Sequence, residues 1–273
     1  MAGALSPDDL AARVPDGALI ALPPDNSLGS VALTLALIRR RARGLRLFCV
    51  PVGGLLADLL IGAGCVAEIE TSAVSLGEAG TAPRFTAALA AGTLIVRDAT
   101  CPAIHTALQA AEKGVPFMPL RGVLGSDVLA HRPDWRVIDN PFAAEPDPIL
   151  LIPAVRPDFA LFHAALADEA GNVWVGRRRE LATMAHAARD SFVSVERRIS
   201  GDMLEDERLA PGVISAAYVT GIAPAPRGAS PLALLDEYPA EAAVLRDYAR
   251  AARSAEGFAA FLEQRLMAEC APA

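Results

Sequence analysis

Short apolar runs alternate with stretches of helical periodicity through the first 120 or so residues, and this alternation sets the fold. Ala18-Leu19-Ile20-Ala21-Leu22 follows Asp16-Gly17 and stops at Pro23-Pro24, as a buried strand does. Asn26 or Ser27 is then placed to cap a helix running to about Arg43. Val31, Leu35 and Ile38 recur in it at helical spacing, and arginines gather at its C-terminal end, where they complement the helix dipole. Residues 45–50 read as a second strand, Pro51-Val52-Gly53-Gly54 as a tight turn, and 55–61 as a helix closed by Gly62 and Gly64. A third strand is expected near 66–69, a helix over 83–91, a strand over 93–96 and a helix over 102–113 ending at Gly114. Such alternation predicts an α/β fold with a mostly parallel sheet covered by helices.

The pattern changes at residues 115–148, which are rich in Pro, Gly and Asp and hold only brief apolar runs. This segment reads as a long loop or inserted excursion, and loops of that length usually serve as lids or binding loops. Strand signals return at 159–163, 173–175, 191–195 and 213–219, and the stretch from about 232 to 267 reads as amphipathic helix. No internal repeat or low-complexity linker divides the chain, so all 273 residues are expected to form one domain with a helical C-terminal segment.

Composition adds exclusions. The 53% hydrophobic content comes from Ala, Leu and Val, with only 5% aromatics, which suits small-faced helices packed on a sheet. A net charge of −7 argues against a nucleic-acid partner, because phosphate backbones demand a basic surface. Two basic runs stand out locally: Arg39, Arg40, Arg41, Arg43 and Arg46, and then Arg177, Arg178 and Arg179. Solvated helix ends, intersubunit salt bridges and an anionic ligand are all open readings for them. No apolar run reaches the ~20 residues that cross a bilayer, and the N-terminus carries early acids rather than a basic start, so a cytoplasmic protein without a membrane partner is expected. Cys49, Cys65, Cys101 and Cys270 are scattered without a CxxC pair, which suggests neither a metal site nor a disulfide framework.

Candidate chemistry is sparse. Gly53-Gly54, Gly77-Glu78-Ala79-Gly80 and Gly122-Val123-Leu124-Gly125-Ser126-Asp127 are turns whose backbone N–H groups can face an anion, but none is a dinucleotide or Walker fingerprint. No nucleophile elbow occurs, and Cys101 with His105, one helical turn apart, lacks an orienting acid. His163, Asp168, Gly171 and Asn172 read as a strand, a polar turn and a second strand, with the imidazole satisfied by backbone in the plainest reading. Glu196 ends an apolar strand, where a buried carboxylate must find partners; structural and site roles are both open.

Several phrases follow one another in a set order. They are Asp16-Gly17 with its strand and helix, Asp58-Leu59-Leu60-Ile61-Gly62-Ala63-Gly64, and Gly80 with Pro83-Arg84-Phe85. Next come Gly114-Val115-Pro116-Phe117-Met118-Pro119 with Arg121 and Gly125-Ser126-Asp127, then His163-Ala164 with Ala167-Asp168 and Gly171-Asn172, then Pro226-Arg227-Gly228-Ala229-Ser230-Pro231. In this order they resemble the A-type half of family I coenzyme A transferases, the group that includes glutaconate CoA-transferase, along nearly the whole chain. The resemblance implies a CoA-transferase fold related to the sugar-phosphate isomerase-like folds. It also implies a reaction in which a glutamate, supplied by a separate B-type subunit, attacks an acyl-CoA thioester. An anhydride forms, the CoA thiolate converts it to an enzyme thioester, and a carboxylic acid acceptor reverses the sequence.

By the same resemblance this chain supplies walls and contacts rather than the nucleophile. Gly53, Gly54, Ser75, Gly80, Arg121, Gly125, Ser126 and Asp127 are the implied substrate-binding set, and His163, Asp168, Asn172 and Glu196 are structural or site-supporting. Coenzyme A is then a substrate rather than a resident cofactor, and the partners are an acyl-CoA, a carboxylic acid and a B-type subunit. Two departures from the family stand out. Relatives commonly carry glycines after the first strand, whereas this chain has Leu22-Pro23-Pro24-Asp25-Asn26, and proline has no N–H to offer. In some relatives, including steroid-ring-opening acyl-CoA hydrolases of this fold, an acid near Val96-Arg97-Asp98 serves chemistry other than CoA transfer, and Asp98 is the residue placed to replace it. Glu78 is the other local carboxylate candidate. The alternatives are therefore one half of a ring-opening or thioester hydrolase, and a non-catalytic metabolite-binding or assembly subunit.

Overall fold

The computed structural model describes residues 5–269; Cys270 lies outside them. In chain order the elements are α1 (Pro7–Ala11), β1 (Leu19–Leu22), α2 (Val31–Arg39), β2 (Leu45–Cys49), α3 (Leu55–Gly62), β3 (Val66–Thr71), α4 (Pro83–Ala90), β4 (Ile95–Asp98) and α5 (Cys101–Glu112). They continue with β5 (Phe117–Leu120), β6 (Arg136–Asp139), β7 (Pro148–Pro153), β8 (Phe159–Ala167), β9 (Val173–Trp174), α6 (Arg179–Ala187), β10 (Asp190–Arg198), β11 (Val213–Ile214), β12 (Gly221–Pro224), α7 (Ala242–Ala251) and α8 (Ala255–Glu269).

The main sheet is parallel in the order β4-β3-β2-β1-β8-β10-β12, with the short antiparallel pair β9 and β11 hung on the C-terminal end of β8. Successive residues of β1 feed opposite faces. Ile20 and Leu22 join a core with α2, α3 and α7, while Ala21 joins a second core with α5 and α6. Both faces of the central strands are covered, which is why they read as unbroken apolar runs rather than alternating ones.

Several boundaries differ from the sequence expectation for identifiable reasons. Helix α2 starts at Val31, not after Asn26 or Ser27, because Ser30 supplies the cap by accepting from Leu33 N–H at 3.1 Å. Ser27 instead gives its hydroxyl to Glu180. Helix α1 carries no apolar periodicity to betray it, and a capping box between Ser6 and Asp9 holds it. Only Val213–Ile214 of the expected 213–219 strand pairs, and in residues 232–241 a turn closed by the Leu234–Tyr238 bridge precedes Pro239, so helix begins at Ala242.

The segment 115–148 is not a loose loop. With β7 it forms a three-stranded antiparallel sheet, β5-β7-β6, whose prolines and exposed β6 hide the strand pattern. Arg132 staples it to the main sheet. Its buried guanidinium pairs with Glu70 on β3 and with Asp134, both at 2.8 Å, donates to the Asp98 carbonyl at 3.1 Å, and lies 4.1 Å over the Trp135 ring. Among the described residues no helix is long and apolar enough to cross a membrane, and no group of three or more His, Cys, Asp or Glu is placed to hold a metal ion.

Candidate active site

The strand order runs outward from β1 in one direction through β2, β3 and β4, and from β8 in the other through β10 and β12. Open α/β sheets take ligands outside the C-terminal ends of the strands at such a switch point. A cavity of about 770 Å³ lies there. Its walls are the loop after β1 (Pro24, Asp25, Asn26), the turn after β2 (residues 51–54), the loop after β3 (residues 75–79), and Leu232, Leu245 and Arg246 from the C-terminal segment.

The first wall is built around Asp25. Both of its carboxylate oxygens accept from the N–H of Leu55, the first residue of α3, at 2.9 Å. Gly54 makes this approach possible, since a Cβ there would lie 2.3 Å from the Asp25 carboxyl carbon. The α3 N-terminus, which would attract an anion, is thus already occupied by the chain's own carboxylate. Burial pushes the Asp25 acid up to about 6, against the lowering effect of the Leu55 and Leu56 N–H groups and helped by the charge of Asp58. The N–H of Gly53 is also spoken for, bonding the Ala73 carbonyl at 2.9 Å, and a Cβ on Gly53 would meet Cys49 Sγ at 3.1 Å.

The loop after β3 closes on itself. Leu76 N–H donates to the Gly80 carbonyl at 2.9 Å, Gly77 N–H to Ser75 Oγ at 3.1 Å, and Ser75 N–H to the Gly53 carbonyl at 3.0 Å. Ser75, Gly77 and Glu78 form an exposed rim. Ser75 Oγ bonds the Gly77 N–H and the Gly80 carbonyl rather than a basic side chain, and so is not activated as a nucleophile.

A second polar cluster lies under β8 and β10. His163 is fully buried; its Nδ1 pairs with Ser194 Oγ at 2.7 Å and its Nε2 with Glu196 Oε2 at 3.1 Å. Ser194 also meets Ser30 Oγ at 2.7 Å. Glu196 accepts from Arg227 N–H at 2.7 Å and Tyr238 O–H at 3.1 Å, and these bonds with that of His163 hold its carboxyl below the usual range despite desolvation. Serine, histidine and glutamate are therefore in line, yet the serine has no solvent or substrate access.

No family model matches the chain. It is 30% identical over 268 residues to the IpdA subunit of a cholesterol ring-cleaving hydrolase of Rhodococcus jostii, covering 94% of this chain and 90% of that one. It is 32% identical over 190 residues to the A-type chain of the 3-oxoadipate CoA-transferase of Pseudomonas knackmussii, covering 67% and 65% of the two chains. Its fold superposes on glutaconate CoA-transferase of Acidaminococcus fermentans with a TM-score of 0.88 at 24% identity, over 97% of this chain and 89% of that one. The chain belongs to the A-type branch of the CoA-transferase family.

In this CoA-transferase chain the expected site residues separate into groups. Gly53, Gly54, Ser75 and Glu78 line the cavity, and Gly80 closes the loop behind them. Arg121, Gly125, Ser126 and Asp127 do not line it. Arg121 forms a bidentate pair with Asp147 on the small sheet, and Ser126 Oγ bonds the Val123 carbonyl at 2.9 Å ahead of a 3₁₀ turn begun by Asp127. Asp98 is exposed at the end of edge strand β4, also away from the cavity. Asp168 accepts from Asn172 N–H and Nδ2 at 2.8 Å and from Met203 N–H at 3.0 Å, tying the β8–β9 hairpin to the segment after β10. His163 is mid-strand and bonded to side chains, not at a strand end satisfied by backbone. The sequence reading does not single out Asp25. Its signal is an acid directly after a strand and two prolines, opposite a Gly-Gly turn that has to admit something.

Proposed function

We propose that this chain is the A-type half of a heteromeric CoA-transferase, which moves CoA between an acyl-CoA and a carboxylic acid on a glutamate supplied by a B-type subunit. One observation carries the reading. The cavity at the switch point is roomy and mainly apolar, but its own side chains include no activated nucleophile. Glu78, the one carboxylate on the rim, is exposed. A carboxylate that attacks a thioester and passes through an anhydride needs a dry, walled pocket, and a second chain laid over the rim of Ser75, Gly77 and Glu78 would provide it. The substrate contacts would then be the cavity residues Gly53, Gly54 and Ser75 with the loop closed by Gly80, and coenzyme A would be substrate rather than resident cofactor.

The test is isotope exchange of a labelled carboxylic acid into acyl-CoA, measured for this chain by itself, for a B-type partner by itself and for the two together. Exchange only in the mixture is expected. Exchange by this chain without the partner sinks the reading. A second reading, hydrolysis on the same scaffold, is favoured by Asp25, whose carboxyl is raised toward neutrality in the cavity wall and so suits a general base for water. Free CoA released by the mixture without any acceptor acid would replace transfer by hydrolysis.

A further inference from the structure

Three arginines around the C-terminal end of α2 are matched by acids: Arg39 to Asp8 and Arg40 to Asp16 at 2.9 Å, and Arg46 to Asp158 at 4.0 Å. Arg177, Arg179 and Arg208 line one cleft of about 370 Å³ with Trp174 and Gly212, and among the described residues none of their guanidinium groups has an ion-pair or hydrogen-bond partner. Asp206 does not neutralise Arg208; it accepts from that residue's backbone N–H at 2.8 Å.

Arg179 opens α6 and Arg178 is its N-cap without any side-chain cap bond, so cations gather at the helix end that repels them, and Glu180 is the acid of that first turn. An anion seated there would be held by the guanidinium groups and favoured by the helix together. The cleft floor points the same way. Trp174 Nε1 is buried without a hydrogen-bond partner, and a Cβ on Gly212 would lie 2.7 Å from it, so the glycine lets the indole edge sit at the bottom of the cleft. The indole N–H is covered by Gly212, so an anion in the cleft would meet the three exposed guanidinium groups over the indole ring.

We propose that this cleft binds phosphate groups and, resting on the CoA-transferase reading, that they belong to the nucleotide end of the acyl-CoA. One hydrogen bond links the helix that opens at this cleft to the loop of the large cavity. Glu180, next to Arg179 on α6, accepts from Ser27, which follows Asp25 and Asn26 of the large cavity. A ligand anchored by its phosphates at Arg177, Arg179 and Arg208 would extend from the start of α6 toward the loop after β1, which lines the cavity for the acyl end.

Trp135 and Trp174 are the two tryptophans, so in a W135F background Trp174 fluorescence reports the cleft. Titration of the full chain with CoA, pyrophosphate, inorganic phosphate and phosphate-free pantetheine separates the sources. CoA is expected to perturb Trp174 saturably, pyrophosphate more weakly, and pantetheine not at all. R177A and R179A are each expected to weaken CoA about tenfold, the loss of one charge-assisted contact. R208A is expected to do the same, and these losses shrink at high salt. Binding by pyrophosphate or phosphate but no gain from CoA would assign the cleft to a separate phosphorylated ligand and overturn the nucleotide assignment. No response to any phosphate, or arginine variants that abolish only the association with a B-type partner, overturns the site. CoA binding lost in R177A/R179A while the complex shows no transfer leaves the cleft standing and sinks the transferase reading. Transfer with an unaltered KM for acyl-CoA in that variant does the reverse.

Discussion

Asp58 and Asp25 both serve helix α3, in opposite surroundings. Asp58 is fully buried and accepts from Tyr248 O–H at 2.6 Å, Phe85 N–H at 2.7 Å and Arg84 N–H at 3.3 Å, so one carboxylate joins α3 to the start of α4 and to α7. Asp25 takes only backbone N–H groups at the head of α3 and presents the rest of its carboxylate to the cavity. A carboxylate has about four acceptor positions. Asp58 commits its own to the fold, whereas Asp25 keeps some for a ligand or a proton. A buried acid therefore marks chemistry only where its partners leave capacity facing open space.

The largest effect should come from the sealed member. Asp58→Ala leaves the Tyr248 hydroxyl and the Phe85 N–H unpaired in the core, and is expected to cost about 3 kcal/mol, read as a lower midpoint in urea unfolding with an unchanged slope. Tyr248→Phe, which removes one of the three bonds, should cost about 1 kcal/mol. Equal losses in the two variants would mean that Asp58 is held by something other than this network.

Gly54→Ala tests how firmly the open member is built. The new Cβ would collide with the Asp25 carboxyl at 2.3 Å, and the expected loss is about 2 kcal/mol together with a reshaped cavity. Asp25→Ala in the same chain removes the colliding group, so the double variant should recover most of that loss. Additive losses would show that the glycine answers to backbone geometry alone.

How much of this is legible in the sequence follows from the same contrast. The α/β alternation is readable because strands buried on both faces leave apolar runs, and Ile20, Ala21 and Leu22 can be assigned without knowing which face each feeds. The β5-β7-β6 sheet is not, since Pro119, Pro148 and Pro153 sit in its strands and every residue of β6 is exposed. At the site, glycine turns point to the right loops, Gly53-Gly54 and residues 77–80, because a ligand wall needs backbone near it. What they do not reveal is the occupant: the N–H that Gly54 uncovers faces Asp25, a contact across a sequence gap that no local pattern records. His163 and Glu196 stand out as polar residues in apolar strands, but only their neighbours in space, Ser194 and Tyr238, show the cluster to be closed.

An effect no larger, and spread over pH, tests the Asp25 acid itself. The folded Asp25 acid titrates near 6 and the unfolded one near the ordinary aspartate value, so between these limits the native state holds a proton that the unfolded chain has released. Its contribution to stability is therefore greatest at low pH and falls as pH rises toward 6. Asp25→Asn has no such proton to lose, and relative to the wild type its stability should improve by about 2 kcal/mol between pH 4 and pH 7, read from urea midpoints across that range. A constant difference would remove the protonated acid from the cavity wall, and with it the basis for hydrolysis.

The smallest effect is expected at Arg121, and it bears on where the site ends. Arg121 and Asp147 face solvent on the small sheet, where Arg121 and Asn140 together hold the Asp147 carboxyl down to about 2. Exposed pairs of this kind contribute little, because water solvates both partners in their absence. Arg121→Ala should leave the melting temperature within error, and CoA binding by this chain unchanged, since Arg121 lines neither the acyl cavity nor the arginine cleft. Weaker CoA binding in that variant would extend the site from the switch point onto the β5-β7-β6 sheet, and the contrast between a sealed and an open carboxylate would then no longer bound the chemistry.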